Sequence, residues 1–196
     1  MTSLQKWEKS VRTTIPVMAG YLVLGAGFGI LLRTRGYGLG WALAMSAFIY
    51  AGSMQYVAID LLTGGASLLT TAGTTLLVTA RHLFYGISML ERYRAAGKYA
   101  PYLIFSLTDE TYSLVAARED LTGAECFRIS LLDQFYWVLG TALGSLAGTY
   151  LDFNTTGIDF SLTALFLTVF TEQWLETKDH APALIGLGVS IVCRLL

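Results

Sequence analysis

The sequence predicts an all-α integral membrane protein of about seven membrane-embedded helical segments, arranged as an inverted repeat with broken or re-entrant helices. Three observations carry this. Of 196 residues, 54% are hydrophobic and 14% charged, against roughly 25% charged in a soluble domain that must hydrate its whole surface. The mean hydropathy is +0.55. The charges are also bunched, leaving residues 13–32, 36–59, 61–80, 99–108 and 134–151 without any. All but the 99–108 run reach the ~18 apolar residues that a hydrocarbon layer ~30 Å thick requires of a spanning helix.

Taken in order, Lys6, Lys9 and Arg12 precede the first apolar segment, 14–32. No small-residue cleavage site follows and further apolar segments do, so this reads as an uncleaved first helix. Segments at 39–62, 67–90, 99–117, 127–151, 159–175 and 181–196 come next, joined by short connections of the kind close-packed helices use. The chain 1–196 reads as one transmembrane domain with repeat-like halves at roughly 14–117 and 127–196. The last segment would be about 24 Å long at 1.5 Å per residue, marginal for a span, so a short or incomplete final helix is expected.

The halves are suggested by an internal repeat. Tyr21, Val23, Leu24, Gly25 and Gly29 recur at the same spacing as Tyr136, Val138, Leu139, Gly140 and Gly144. Ser46-Ala47-Phe48 through Gln55-Tyr56 then parallels Ala164-Leu165-Phe166 through Gln173-Trp174. If every segment spanned, the basic groups Lys6/Lys9/Arg12 and Arg92/Arg94/Lys98 would fall on opposite sides, against the positive-inside rule. One re-entrant or broken segment between 39 and 90 brings both to the cytoplasm. It also makes the two repeats antiparallel, a common plan among secondary transporters.

Several function classes fall away. A net charge of −1 offers no basic field for nucleic acid. Cys126 and Cys193 form no CxxC pair, so neither a disulfide framework nor a metal site is expected, and no cofactor is implied. The glycines from Gly20 to Gly29 lack the strand and βαβ unit of a dinucleotide motif and are better explained by close helix packing. No HExxH, GxSxG or Walker loop is present.

The informative residues are polar ones within apolar segments. Asp109 and Glu110 stand near the middle of 101–117, where each charge costs on the order of 2.5–3.5 kcal/mol on insertion scales. Either the segment is shorter than drawn and the acids are interfacial, or they face a polar cavity. Burial there favours a carboxylate's neutral form, and such a group can carry protons. Asp109 is expected to face the cavity and the other acid to be held charged by Arg81.

Arg81 lies between long uncharged stretches and cannot easily snorkel to the surface. It reads as an ion-pair partner of Asp109 or Glu110, as a planar fork for a carboxylate substrate, or as both by turns. His82 beside it more simply makes a structural hydrogen bond. In Tyr50-Ala51-Gly52-Ser53-Met54-Gln55-Tyr56, two readings stay open. One is a helix break whose backbone groups line a cavity, the other a small-residue helix contact. Asp60 and Asp133 are expected at interfaces, with Asp133 and Glu172 secondary candidates for proton coupling.

Together, Ser46-x3-Tyr50-Ala51-Gly52-Ser53-x-Gln55-Tyr56, Arg81-His82-x2-Tyr85-Gly86 and Leu107-Thr108-Asp109-Glu110-x-Tyr112 resemble successive signatures of the AzlC family, the large subunits of bacterial branched-chain amino acid exporters. The resemblance runs from about residue 14 to 190. It implies export of leucine, isoleucine, valine and methionine across the bacterial inner membrane. It also implies a small hydrophobic AzlD-type membrane subunit as partner.

On this reading Ser46, Tyr50, Gly52, Ser53, Gln55, Arg81, His82 and Tyr85 bind substrate, and Asp109 and Glu110 couple protons. Phe48, Tyr50, Tyr85 and Leu107 supply an apolar wall. The competing reading is a non-transporting membrane subunit, an intramembrane enzyme or scaffold, in which Ser53, His82 and Asp109 form a catalytic set.

Overall fold

The computed structural model describes residues 2–116, 118, 120–150, 157, 160, 163, 164, 167, 170, 171, 174, 175 and 180–195, and its regular structure is entirely helical among them. Residues 1–155 and 156–196 form separate compact units. The first holds every candidate residue except Glu172, which lies outside the described residues, as does most of the 164–174 arm of the sequence repeat. In the second unit the chain is helical over Ala181–Leu195, and Trp174 stacks on His180 with ring centroids 4.1 Å apart.

Helix α1 spans Ser3–Thr34. Thr2 opens it with a capping box, its hydroxyl accepting from Gln5 N–H while the Gln5 side chain accepts from Thr2 N–H, which satisfies two otherwise orphaned donors. Among the described residues it is the one helix long and apolar enough by itself to cross a membrane.

Its main neighbour is α9, Gly123–Tyr150. A Cβ on Gly25 would come within 2.8 Å of the Trp137 carbonyl oxygen, and one on Gly140 within 2.7 Å of the Leu22 oxygen. Cβ atoms on Gly29 and Gly144 would collide with the carbonyls of Thr141 and Ala26. The two backbones therefore touch, and dispersion along a stripe of small residues holds them together.

These glycines are the repeat seen in the sequence, and their contacts are reciprocal about it. The direction, however, differs from expectation. Contacts advance together along both helices, from Lys9 with Glu125 through Thr14 with Tyr136 to Gly29 with Gly144 and Arg33 with Gly148. The helices run parallel, so this repeat is not inverted. Sequence identity between two segments carries no information about their direction.

The inverted elements are two others. Helices α2 (Leu39–Phe48) and α3 (Gly52–Thr63) fold back on each other. Tyr50, the one non-glycine among the described residues with positive φ, at 43°, makes the turn. The α2 arm descends along α9, Ser46 meeting Thr141 and the Ala47 carbonyl meeting Gln134. The α3 arm climbs back along α1, Tyr56 donating to the Leu24 carbonyl and packing on Phe28. Gln55 reaches across to Ser46 at 3.1 Å.

Segment 99–117 is a second hairpin rather than one helix. Helix α7 (Ala100–Phe105) and α8 (Asp109–Ala116) are separated at Ser106–Thr108. Tyr99 packs on Phe127 at its start, its tip brings Phe105 against Tyr50, and beyond it Arg118 returns to Thr13. It comes from the end opposite to the first hairpin, and the two tips meet. Segment 39–62 folds back, as one re-entrant segment between 39 and 90 would, whereas 99–117, read as one continuous segment, is corrected to a second fold-back; seven spans are not confirmed among the described residues.

Helices α4 (Leu68–Thr79), α5 (Arg81–Ser88) and α6 (Leu90–Ala95) link the hairpins. Arg92 donates to the carbonyls of Val115, Arg118 and Leu121, and Ala96 packs on Gly123. The groups Lys6/Lys9/Arg12 and Arg92/Arg94/Lys98 thereby lie at one end of the unit. Arg33 and Arg35, at the far end of α1, lie at the other.

Candidate functional site

The hairpin tips converge where α4 meets α5. Helix α3 begins at Gly52 with no side-chain cap, leaving the N–H groups of its first turn without the usual partner. Gly52 lies flat against Trp137, where a Cβ would be 3.1 Å from the ring. Helix α8 begins differently. Thr108 caps it, accepting from Thr111 N–H at 3.3 Å, and Asp109 and Glu110 fill its first turn, where negative charge is favoured by the helix dipole.

Arg81 joins the two tips. Its Nη2 donates to Ser53 Oγ at 3.0 Å and lies 2.8 Å from Asp109 Oδ2, with the two side chains 28% and 23% exposed. The expected ion pair is present, but its acid is Asp109 rather than Glu110. Asp109 is the one held by arginine, and Glu110 turns toward α1, accepting from the Tyr21 hydroxyl at 2.7 Å. Adjacent helical residues point about 100° apart, so one arginine cannot face both equally. Tyr85 stands beside Arg81 and Asp109 and stacks on Tyr112 with centroids 4.4 Å apart.

A cavity of about 530 Å³ lies next to this bridge, lined by Tyr50, Thr79 and His82 and by apolar side chains that include Ile49, Ile87, Phe105 and Leu107. Of the expected wall, Tyr50 and Leu107 take part. Phe48 is 80% exposed, because it lies just before the turn and points out of the hairpin. His82 directs Nδ1 to the Thr79 carbonyl at 3.2 Å. Ser46 and Gln55 face α9 instead: Ser46 donates to Thr141 at 2.9 Å and Trp137 donates to Gln55 Oε1 at 2.9 Å. They brace the hairpin.

Asp133 is the largest departure. It is fully buried on α9 rather than interfacial, and accepts from the Thr111 hydroxyl at 2.9 Å. Thr111 lies 3.1 Å from Thr108, which lies 2.7 Å from Tyr21. The sequence flagged none of these three hydroxyls as functional, although Thr108 is in the acidic motif and Tyr21 in the repeat. Their link is visible only once α1, α8 and α9 are packed together.

The family model described as AzlC protein matches residues 16–151. A Bacillus subtilis protein named branched-chain amino acid transport protein AzlC is 45% identical over 93% of this chain and 74% of its own length. A Helicobacter pylori protein named only as an uncharacterized membrane protein is 41% identical over 98% of this chain and 86% of its own. Inner membrane protein YgaZ of Escherichia coli is 27% identical over 89% and 77%. No solved structure matches.

Proposed function

Because the chain belongs to the AzlC family, we propose that it is a secondary transporter exporting leucine, isoleucine, valine and methionine across the bacterial inner membrane, coupled to protons and working with a small AzlD-type subunit. The basic end of α1 and the 90–98 segment would face the cytoplasm, as the positive-inside rule favours.

The observation that carries this reading is the Arg81 bridge between two half-helix starts, beside a mostly apolar cavity. Broken backbone at membrane depth is tolerated where it lines a cavity, and in transporters such half-helix N-termini hold substrate carboxylates. Here the substrate carboxylate would meet the uncapped N–H groups of α3 and the guanidinium of Arg81, displacing Asp109. Asp109 would then take the substrate ammonium. The branched side chain would fill the cavity toward Ile49, Phe105 and Leu107. Because each methylene is worth only ~1–3 kcal/mol in an apolar pocket, selectivity among the branched-chain amino acids should be modest.

The enzyme reading finds less support. Ser53 takes its hydrogen bond from Arg81 and His82 is turned to Thr79, which is not the nucleophile–base pairing a hydrolase requires. Counterflow of radiolabelled leucine in proteoliposomes tests the proposal, with the AzlD-type subunit present and then left out. Leucine accumulation against unlabelled leucine is expected with both chains. Its complete absence with both chains would overturn the transport reading.

A further inference from the structure

The buried hydroxyls between α1, α8 and α9 form a chain with an acid at each end. Glu110 is 2.7 Å from the Tyr21 oxygen, Tyr21 is 2.7 Å from Thr108, Thr108 is 3.1 Å from Thr111, and Thr111 is 2.9 Å from Asp133. Each of these links needs one hydrogen between its oxygens, because two oxygens at such distances repel without one. Tyr21, Thr108 and Thr111 bring one hydroxyl hydrogen apiece, one fewer than the links require. With both carboxylates ionised the chain has a gap.

One added proton closes it, at either end. If Glu110 is protonated it donates to Tyr21, Tyr21 to Thr108, Thr108 to Thr111 and Thr111 to ionised Asp133. If Asp133 is protonated, every link reverses. Thr108 can accommodate both directions while still accepting the Thr111 N–H, since a hydroxyl has two acceptor positions and one donor.

We propose that Glu110 and Asp133 share a single proton through Tyr21, Thr108 and Thr111, and that this is the coupling proton of the cycle; the second clause rests on the transport reading above. In one passage the Glu110 O–H bond breaks as Tyr21 gains that proton. Tyr21 gives its own to Thr108, Thr108 to Thr111, and Thr111 to Asp133. Each O–H bond broken is matched by one formed, one proton moves in net terms, and nothing is oxidised or reduced.

The surroundings distinguish the ends. Glu110 is partly buried and faces Tyr21 of α1, its neighbour Asp109, and Arg81 of α5. Asp133 is fully buried and faces Thr111 and Glu110 of α8, Tyr50 at the hairpin tip and Tyr102 of α7. Its second carboxylate oxygen is buried without a hydrogen-bond partner. An enclosed carboxylate with an unpaired oxygen is costly as an anion and suits a proton store. Glu110 is the port. Arg81, engaged with Asp109 and Ser53, is not a link of the chain.

Infrared difference spectroscopy on the protein in lipid vesicles tests the sharing directly. The wild type should show a protonated-carboxyl stretching band. Glu110→Gln and Asp133→Asn should each lose the band, because the amide N–H then supplies the missing hydrogen and the remaining acid can stay ionised. The double variant should lose it too. A band unchanged by either single substitution, or one surviving in the double variant, would overturn the proposal. For the relay, Thr111→Val should cut pH-driven leucine flux by at least ~10-fold while leucine exchange at equal pH persists, and Thr111→Ser should restore the flux. Full pH-driven flux in Thr111→Val would overturn the relay. Retained exchange in that variant shows that it folds. If the wild type exchanges no leucine, the transport reading fails, whereas the infrared result bears on the shared proton alone.

Discussion

The two hairpins reach the same depth from opposite ends, yet their tips are chemically unlike. The α2–α3 tip carries no charge, and α3 starts without a side-chain cap. The α7–α8 tip supplies its own cap from Thr108 and its own anions, Asp109 and Glu110. A helix start with free N–H groups and no acid invites an anion from outside. One already filled by carboxylates repels anions and attracts a cation or a proton. On the proposed function the same backbone device would supply complementary sites for the two ends of a zwitterion, and Arg81 spans the two tips.

The largest effect should come from the scaffold both hairpins share. Gly144→Val drives a side chain into the Ala26 carbonyl, and because backbone cannot step aside as a side chain can, the cost should exceed about 3 kcal/mol, the upper part of the usual overpacking range. Detergent-solubilised protein should show a sharply lowered melting temperature or fail to accumulate. Survival with wild-type stability would mean that α1 and α9 are not in backbone contact.

Next comes the bridge. Arg81→Lys keeps the charge but loses the planar fork that reaches Ser53 and Asp109 together. Leucine transport should fall about ten-fold or more, worth ~1.4 kcal/mol, whereas Arg35→Lys should leave it unchanged. Normal transport in Arg81→Lys would reduce Arg81 to a plain counter-charge.

A smaller pair of effects sharpens the contrast between tips, because they should differ in sign. Ser53→Ala removes one oriented partner of Arg81 and should weaken leucine binding a few-fold, in line with ~1 kcal/mol for a hydrogen bond. Asp109→Asn removes Arg81's competitor together with the partner of the substrate ammonium, so a branched-chain carboxylate that lacks the ammonium should bind more tightly while leucine turnover slows. Isothermal titration and exchange rates measure the two. Shifts in the affinity for that carboxylate in the same direction in both variants would mean that the tips do not play opposite roles.

Much of this was legible in the sequence, for identifiable reasons. Apolar runs mark membrane-depth segments because burial demands them, and the charges that interrupt them, Arg81 and Asp109, are costly enough to require each other. The break near Gly52 was one of two readings that the small and polar residues around it allowed. The fold-back at Ser106–Thr108 was not, because 99–117 is as long as a short span and a chain reversal leaves hydropathy unchanged. Asp133 appeared interfacial because it stands only a few residues inside the apolar part of α9. Its burial depends on Thr111, a neighbour supplied by a separate hairpin. The pairing of Gly25 with Gly140 was visible as a repeat, while its parallel direction is set by how many times the intervening chain turns back.

The opposed hairpins are the central claim, and cysteine accessibility in intact cells tests it most directly. In a background with Cys126 and Cys193 replaced by serine, single cysteines at Arg35 and Ala66 flank the first hairpin, and at Lys98 and Arg118 the second. An impermeant thiol reagent should label the first two alike and leave the last two protected, together with a cysteine at Lys6. If the two positions flanking either hairpin label differently, that segment crosses the membrane and the fold-back is wrong.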